Sequence, residues 1–118
     1  MPTNPNFYEI DLDKNPANHQ PLTPLTFLAR AAMVFPDHTA IIHGTAKTNY
    51  RDFYARARRL GSALAKRGLG KGDTVSVMLA NTPPMLEAHY GVPMTKAVLN
   101  TMNTRLDSGI IARERLDL

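Results

Sequence analysis

Apolar positions recur along the chain with changing spacing, and each spacing predicts an element. Leu25, Leu28, Ala29 and Ala32 share one face of a helix that should open at Thr23, with Pro24 first in the helix where its missing N–H costs nothing. Pro36 should end that helix by Phe35. Thr39-Ala40-Ile41-Ile42-His43 reads as a short strand, Gly44 to Lys47 as a turn, and Thr48-Asn49-Tyr50 as the returning strand of a small hairpin. Phe53, Ala57, Leu60 and Leu64 then follow one another at helical spacing, so a second helix should run from an Asn49 cap to about Arg67. Asp52 favours its start through the dipole, and Gly68 is placed for a left-handed cap at its end.

The stretch that organises the rest begins at Gly72. A β-branched apolar run, Thr74 to Ala80, stops at Asn81-Thr82-Pro83-Pro84, a helix follows to Gly91 or Val92 ahead of Pro93, and Ala97-Val98-Leu99-Asn100-Thr101 reads as a second strand. Strand, helix and strand make one βαβ unit, whose parallel strands call for cover on both faces; Val75, Val77, Met78, Leu79, Val98 and Leu99 fit that demand. Asn103 to Asp107 reads as a loop, and Ser108 to Leu116 as the start of a further helix. The predicted class is α/β: an incomplete parallel βαβ sheet flanked by helices, with a small N-terminal β-hairpin. Residues 1–20, with Pro2, Pro5 and Pro16 and no sustained period, read as an extended arm that Phe7, Tyr8 and Ile10 can pin to a surface.

Composition narrows the setting. A chain of 118 residues with 43% apolar content can build one modest core. The absence of cysteine removes disulfides, thiolate metal sites and cysteine nucleophiles together and suits a reducing compartment. No apolar run approaches the roughly 20 residues of a membrane span, and Met1 to Asn6 lacks the pattern of a secretory signal. The chain therefore reads as soluble and cytoplasmic.

The net charge of +4 invites a nucleic-acid reading. Arg51, Arg56, Arg58, Arg59, Lys66, Arg67 and Lys71 cluster on and after the second helix, mostly opposite its apolar face, which a solvated outer surface explains. Nucleic-acid binding would want interleaved aromatics or a known module, and neither is present. Candidates for chemistry are few. His19, His38, His43 and His89 lack metal-ligand spacing, Glu87 reads as a surface carboxylate, and Ser62, Ser76 and Ser108 lack a nucleophile-elbow context. The methionines, among them Met78, Met85, Met94 and Met102, read as gap-fillers in apolar segments. Gly68-Leu69-Gly70-Lys71-Gly72 precedes a strand, whereas a phosphate loop follows one and opens a helix; it reads as a helix-to-strand turn.

Several segments, in order, carry a resemblance. Thr23 to Ala32, Phe35-Pro36-Asp37, Tyr54 to Leu60, Gly72-Asp73-Thr74-Val75, Asn81-Thr82-Pro83 and Ala97 to Leu106 together resemble the N-terminal portion of AMP-forming acyl-CoA synthetases, above all the fatty-acid and medium-chain acyl-CoA ligases of the adenylate-forming superfamily. The resemblance divides the chain into an arm (1–20), part of the large AMP-binding N-terminal domain (21–108) and a divergent tail (109–118). It implies a two-step ligase in which a carboxylate attacks ATP to give an acyl-adenylate and pyrophosphate, and coenzyme A thiol then displaces AMP. ATP, Mg²⁺ and coenzyme A are cofactors of the full-length family. The Gly-rich loop, acidic segment, ribose-binding aspartate and mobile-domain lysine that serve this chemistry match nothing in these residues, so no catalytic, cofactor-binding or metal residue is expected here. Two departures stand out: Lys96 occupies a position where the family usually has a small residue, often glycine, and from Gly109 the sequence drifts, with Arg113-Glu114-Arg115 in place of an apolar helix face. The expectation is a truncated, inactive N-terminal piece of a synthetase, with exposed apolar faces and a tendency to associate. A non-catalytic module that docks on itself or on a synthetase is the alternative, and a basic nucleic-acid binder the weaker one.

Overall fold

The computed structural model describes residues 10–116, with side chains to 113. In chain order its elements are α1 (Pro24–Val34), β1 (Thr39–His43), β2 (Ala46–Asn49), α2 (Tyr50–Lys66), β3 (Thr74–Val77), α3 (Pro83–Gly91), a 3₁₀ turn (Pro93–Thr95), β4 (Val98–Thr101) and α4 (Ser108–Leu116). The expected α/β class and hairpin are present. Phe7 and Tyr8 lie outside the described residues, and Ile10 is 47% exposed and pins nothing.

Local signals set most boundaries. The Thr23 Oγ1 accepts from the Thr26 backbone N–H at 3.3 Å, and Asn49 Oδ1 accepts from Asp52 N–H at 2.8 Å, so both predicted caps satisfy donors that the first helical turn leaves free. At the other end of α2, Gly68 sits at φ +82°; its N–H reaches Ala65 O and the Leu69 N–H reaches Leu64 O, the paired closure of a Schellman motif.

Two boundaries differ from the sequence reading. The hairpin loop is Gly44-Thr45 alone, since His43 pairs with Ala46, and β2 starts earlier than Thr48. Gly44 takes φ +60°, the conformation that a two-residue loop beginning with glycine requires. The strand after Gly72 ends at Val77, leaving Met78 and Leu79 exposed beyond it.

β3 and β4 pair in parallel, Thr74 with Val98 through Val77 with Thr101, joined by α3 and the 3₁₀ turn as one βαβ unit. The expected cover on both faces is not there: among the described residues no position of β3 or β4 is fully buried, and Val98 is 60% exposed. The core lies instead where α1, α2 and the hairpin meet. Leu28, Phe53 and Ala57 are buried there, with Ile41, Tyr90 and Met94 packed around them and the Phe53 and Tyr90 rings edge to face at 5.2 Å. α2 is the common neighbour of α1, α3 and the hairpin.

Candidate functional site

A cleft of about 540 Å³ opens between the hairpin and α3. β1 contributes Ile41, Ile42 and His43, the start of α1 contributes Pro24, and the segment from Asn81 into α3 contributes Pro83, Leu86 and Tyr90. Pro83 stands in the first turn of α3, a place where proline's fixed φ helps the helix start. The lining is dominated by apolar side chains, with His43, Asn81, Thr82 and His89 as its polar members. His89 Nδ1 lies 2.8 Å from Met85 O; the carbonyl can only accept, so Nδ1 is the donor of this bond.

These residues do not suit a Mg²⁺-bound triphosphate. Neither lysine nor arginine lines the cleft, and among the described residues no three His, Asp or Glu side chains converge to hold a metal ion. The four histidines are not gathered into one site: His43 and His89 border the cleft, whereas His38 lies edge-on to Phe35 and His19 belongs to the exposed turn that starts at Asn15. Ser76 Oγ accepts from Asn100 Nδ2 at 3.2 Å across the sheet, with no base beside it.

The glycine-rich connection has a specific occupant. Asp73 Oδ2 accepts from Gly70 N–H at 2.8 Å, and Asp73 N–H donates to Gly70 O at 3.1 Å. An acidic side chain thus takes a backbone donor that a phosphate would need, in keeping with the helix-to-strand turn expected for this stretch.

Glu87 overturns its expectation as a surface carboxylate. It is 8% exposed, and Arg56 grips it at two points, Nε to Oε1 at 2.5 Å and Nη2 to Oε2 at 3.2 Å. The hydrogen bonds that Arg56 donates to Glu87, and then the charge of that carboxylate, raise the Arg56 pKa above its ordinary value. Sequence reasoning placed Arg56 with the solvated basic face and missed the pair, because its members are separated by 31 positions. The buried neighbours of Glu87 on α3, Met85 and Ala88, were the available signal.

A second missed feature is how closely α2 meets α3. Gly61 and Gly91 are both buried at the crossing, and a Cβ built on Gly91 would stand 2.8 Å from Ala57 O. Glycine at this crossing lets backbone approach backbone.

Residues 28–113 match the AMP-binding enzyme family. The chain is 52% identical over 102 residues to the peroxisomal acetate/butyrate–CoA ligase of Arabidopsis thaliana, covering 86% of this chain and 18% of that protein. Against the acetate–CoA ligase of Humulus lupulus, identity is 47% over 102 residues, again 86% of this chain and 18% of the relative. The chain therefore spans about a fifth of the length of the relatives it matches. Among solved structures, a protein described as a long-chain-fatty-acid CoA ligase from Rhodopseudomonas palustris superposes with TM-score 0.73 at 35% identity, over 78% of this chain and 23% of that one. The o-succinylbenzoate CoA synthetase of Bacillus subtilis shares the fold with TM-score 0.73 at 23% identity, over 77% and 19%. The expected resemblance is thus met by sequence and by fold: this chain belongs to the AMP-binding enzyme family and matches the N-terminal portion of its acyl-CoA ligases.

Proposed function

We propose that residues 1–118 form the opening part of an ATP-dependent acyl-CoA ligase scaffold and catalyse nothing by themselves. The observation that carries this reading is the pairing of a family match over 28–113 with coverage of only 18% of a ligase 52% identical to it. The cleft between the hairpin and α3 adds support, since its apolar lining offers no cation for a triphosphate. In the whole enzyme, the reaction joins a carboxylate to AMP with release of pyrophosphate and then passes the acyl group to coenzyme A. ATP, Mg²⁺ and coenzyme A would be bound by parts of the scaffold outside these residues. Here α1, α2 and the βαβ unit build and brace part of the sheet. No catalytic, cofactor-binding or metal-ligating side chain is assigned to this chain. The test is ATP-dependent CoA thioester formation by purified residues 1–118 with a panel of carboxylates. No product above the protein-free background is expected, and turnover above it overturns the reading.

The compartment belongs to the same proposal. Among the described residues no helix is long and apolar enough to cross a membrane. The cysteine-free composition supports a cytoplasmic setting. The Arabidopsis relative is named as peroxisomal, which makes the peroxisome the competing location.

A second reading, a non-catalytic module that associates with itself or with a full-length synthetase, draws on the exposed apolar side chains. Val98 stands on a strand pair with free outer edges among the described residues, and Phe27, Met33 and Phe35 are exposed on and just after α1. Sedimentation of the chain alone across a concentration series, and then with a synthetase, decides it. A monomer throughout, with no co-sedimentation, removes this reading.

A further inference from the structure

The charge of this chain is concentrated on one helix. Between positions 51 and 71 lie seven of the fourteen basic residues and one of the ten acidic ones, so that stretch carries six net positive charges and the remainder of the chain two net negative ones. The structure sorts those seven. Arg51 pairs with Asp37 at 2.8 Å and Arg56 is held by Glu87. Arg58, Arg59, Lys66, Arg67 and Lys71 are exposed, and none has a carboxylate within salt-bridge distance among the described residues. Asp52 sits at the far, N-terminal end of α2, and Asp73 is turned onto the Gly70 N–H.

Helical spacing puts Arg58, Arg59 and Lys66 on the outward face of α2, opposite the buried Phe53, Ala57 and Gly61, while Arg67 and Lys71 continue the charge past its end. Neither of the two clefts described, one between the hairpin and α3 and one beside α1, includes a residue from 54–71 in its lining. A small polyphosphate needs a concave site, and neither of these clefts reaches this face. A single strand of nucleic acid wants aromatic rings to stack on; of the three aromatics on α2, Phe53 is buried, Tyr50 packs against the core and Tyr54 already has the Arg58 guanidinium over its ring at 5.5 Å. A broad anionic surface asks only for several unpaired cations presented on one side; those on α2 run from Arg58 to Lys66, a rise of roughly 12 Å, and Arg67 and Lys71 extend the row past its end.

We propose that the outward face of α2, with Arg67 and Lys71 beyond it, docks this chain on an anionic lipid bilayer. The attraction is electrostatic and peripheral, with no insertion, and each basic side chain near such a surface strengthens partition about fivefold. Vesicle binding can be read whether or not the ligase reading holds, since it involves neither nucleotide nor thioester.

The test is co-sedimentation of the 118-residue chain with phosphatidylcholine vesicles and with vesicles containing phosphatidylserine. Binding is expected to the second alone, and to be lost as salt rises from about 0.1 M to about 0.5 M, where the screening length shrinks to a few ångströms. Replacing Arg58→Gln, Arg59→Gln and Lys66→Gln together should weaken it about a hundredfold, whereas Lys14→Gln and Lys47→Gln, outside this stretch, should leave it unchanged. All five side chains are exposed, and an unaltered circular-dichroism melt checks that the fold survives. Equal partition onto both kinds of vesicle, absence of binding to either, full binding by the triple variant, or tighter retention by duplex DNA than by phosphatidylserine vesicles at the same salt would each overturn the proposal.

Discussion

Arg56 on α2 and Glu87 on α3 form a two-point ion pair whose members are unequally buried: the arginine side chain is 52% exposed and the glutamate side chain 11%. That inequality decides which partner is costlier to remove. Arg56→Ala leaves a carboxylate in a site with little access to water, whereas Glu87→Ala frees a guanidinium that can swing into solvent. Arg56→Ala should therefore cost about 2–3 kcal/mol and Glu87→Ala about 1 kcal/mol, the upper end for buried pairs being reduced because one member is half exposed. Urea unfolding of both variants checks the order, and equal losses would show that the pair is worth no more than its packing. Since Glu87 raises the Arg56 pKa, the sign is that of a cation: the stabilisation is complete below the ordinary arginine range and is lost only as pH climbs through it. Charge on Arg56 thus gives no stability change across neutral pH.

The same helix pair fixes a second expectation. A Cβ on Gly91 would meet Ala57 O and Leu60 Cδ2 at 2.8 Å each, and Leu60 Cβ at 2.9 Å, so backbone as well as side chain stands in the way. On Gly61 the nearest atoms are Gly91 O at 3.0 Å and Met94 Cβ at 3.3 Å, tight but closer to tolerable. Alanine favours a helix over glycine by about 1 kcal/mol, which offsets part of the overpacking. Gly91→Ala should destabilise by about 2 kcal/mol, and Gly61→Ala by less than half of that. Thermal midpoints of the two variants measure the difference, and a Gly91→Ala protein as stable as the parent would mean that the helices separate without penalty.

Local chemistry was legible in the sequence wherever neighbours decide the outcome. The Thr23 and Asn49 caps, the Gly68 terminator and the stop at Pro93 all act within a few residues, and each sits where expected. The parallel pairing of β3 with β4 could be read because a helical crossover between two β-branched runs has few other solutions. The Arg56–Glu87 pair and the Gly61–Gly91 approach were not legible, since both depend on how two helices rotate about their axes. A rotation that moved Glu87 to the place of Leu86 would put it among the exposed positions of α3, as a surface reading assumes. Burial of β3 and β4 was overestimated for a related reason: apolar side chains report that a strand expects cover, and Val98 shows that the cover is not among the described residues.

Lys96 joins the end of the 3₁₀ turn to β4 at φ +70°, and apart from Asp11 it is the described non-glycine residue with positive φ. A Cβ there crowds the following carbonyl and costs about 1–2 kcal/mol, which glycine avoids. The side chain itself is exposed, so the route to water that a lysine needs is present. The backbone, rather than the space around it, therefore sets which residues this position favours. Lys96→Gly is thus expected to stabilise the chain by about 1 kcal/mol, slightly less than the strain because glycine also loosens the unfolded state. Lys96→Val, with a β-branched side chain in the left-handed region, should destabilise it by about 1 kcal/mol or more relative to the parent. Denaturant midpoints for the three proteins, taken at one pH and salt, should fall in the order glycine, lysine, valine. A valine variant that matches the lysine parent would mean that the turn relaxes out of positive φ at no cost, and that the close of the βαβ crossover is looser than its backbone suggests.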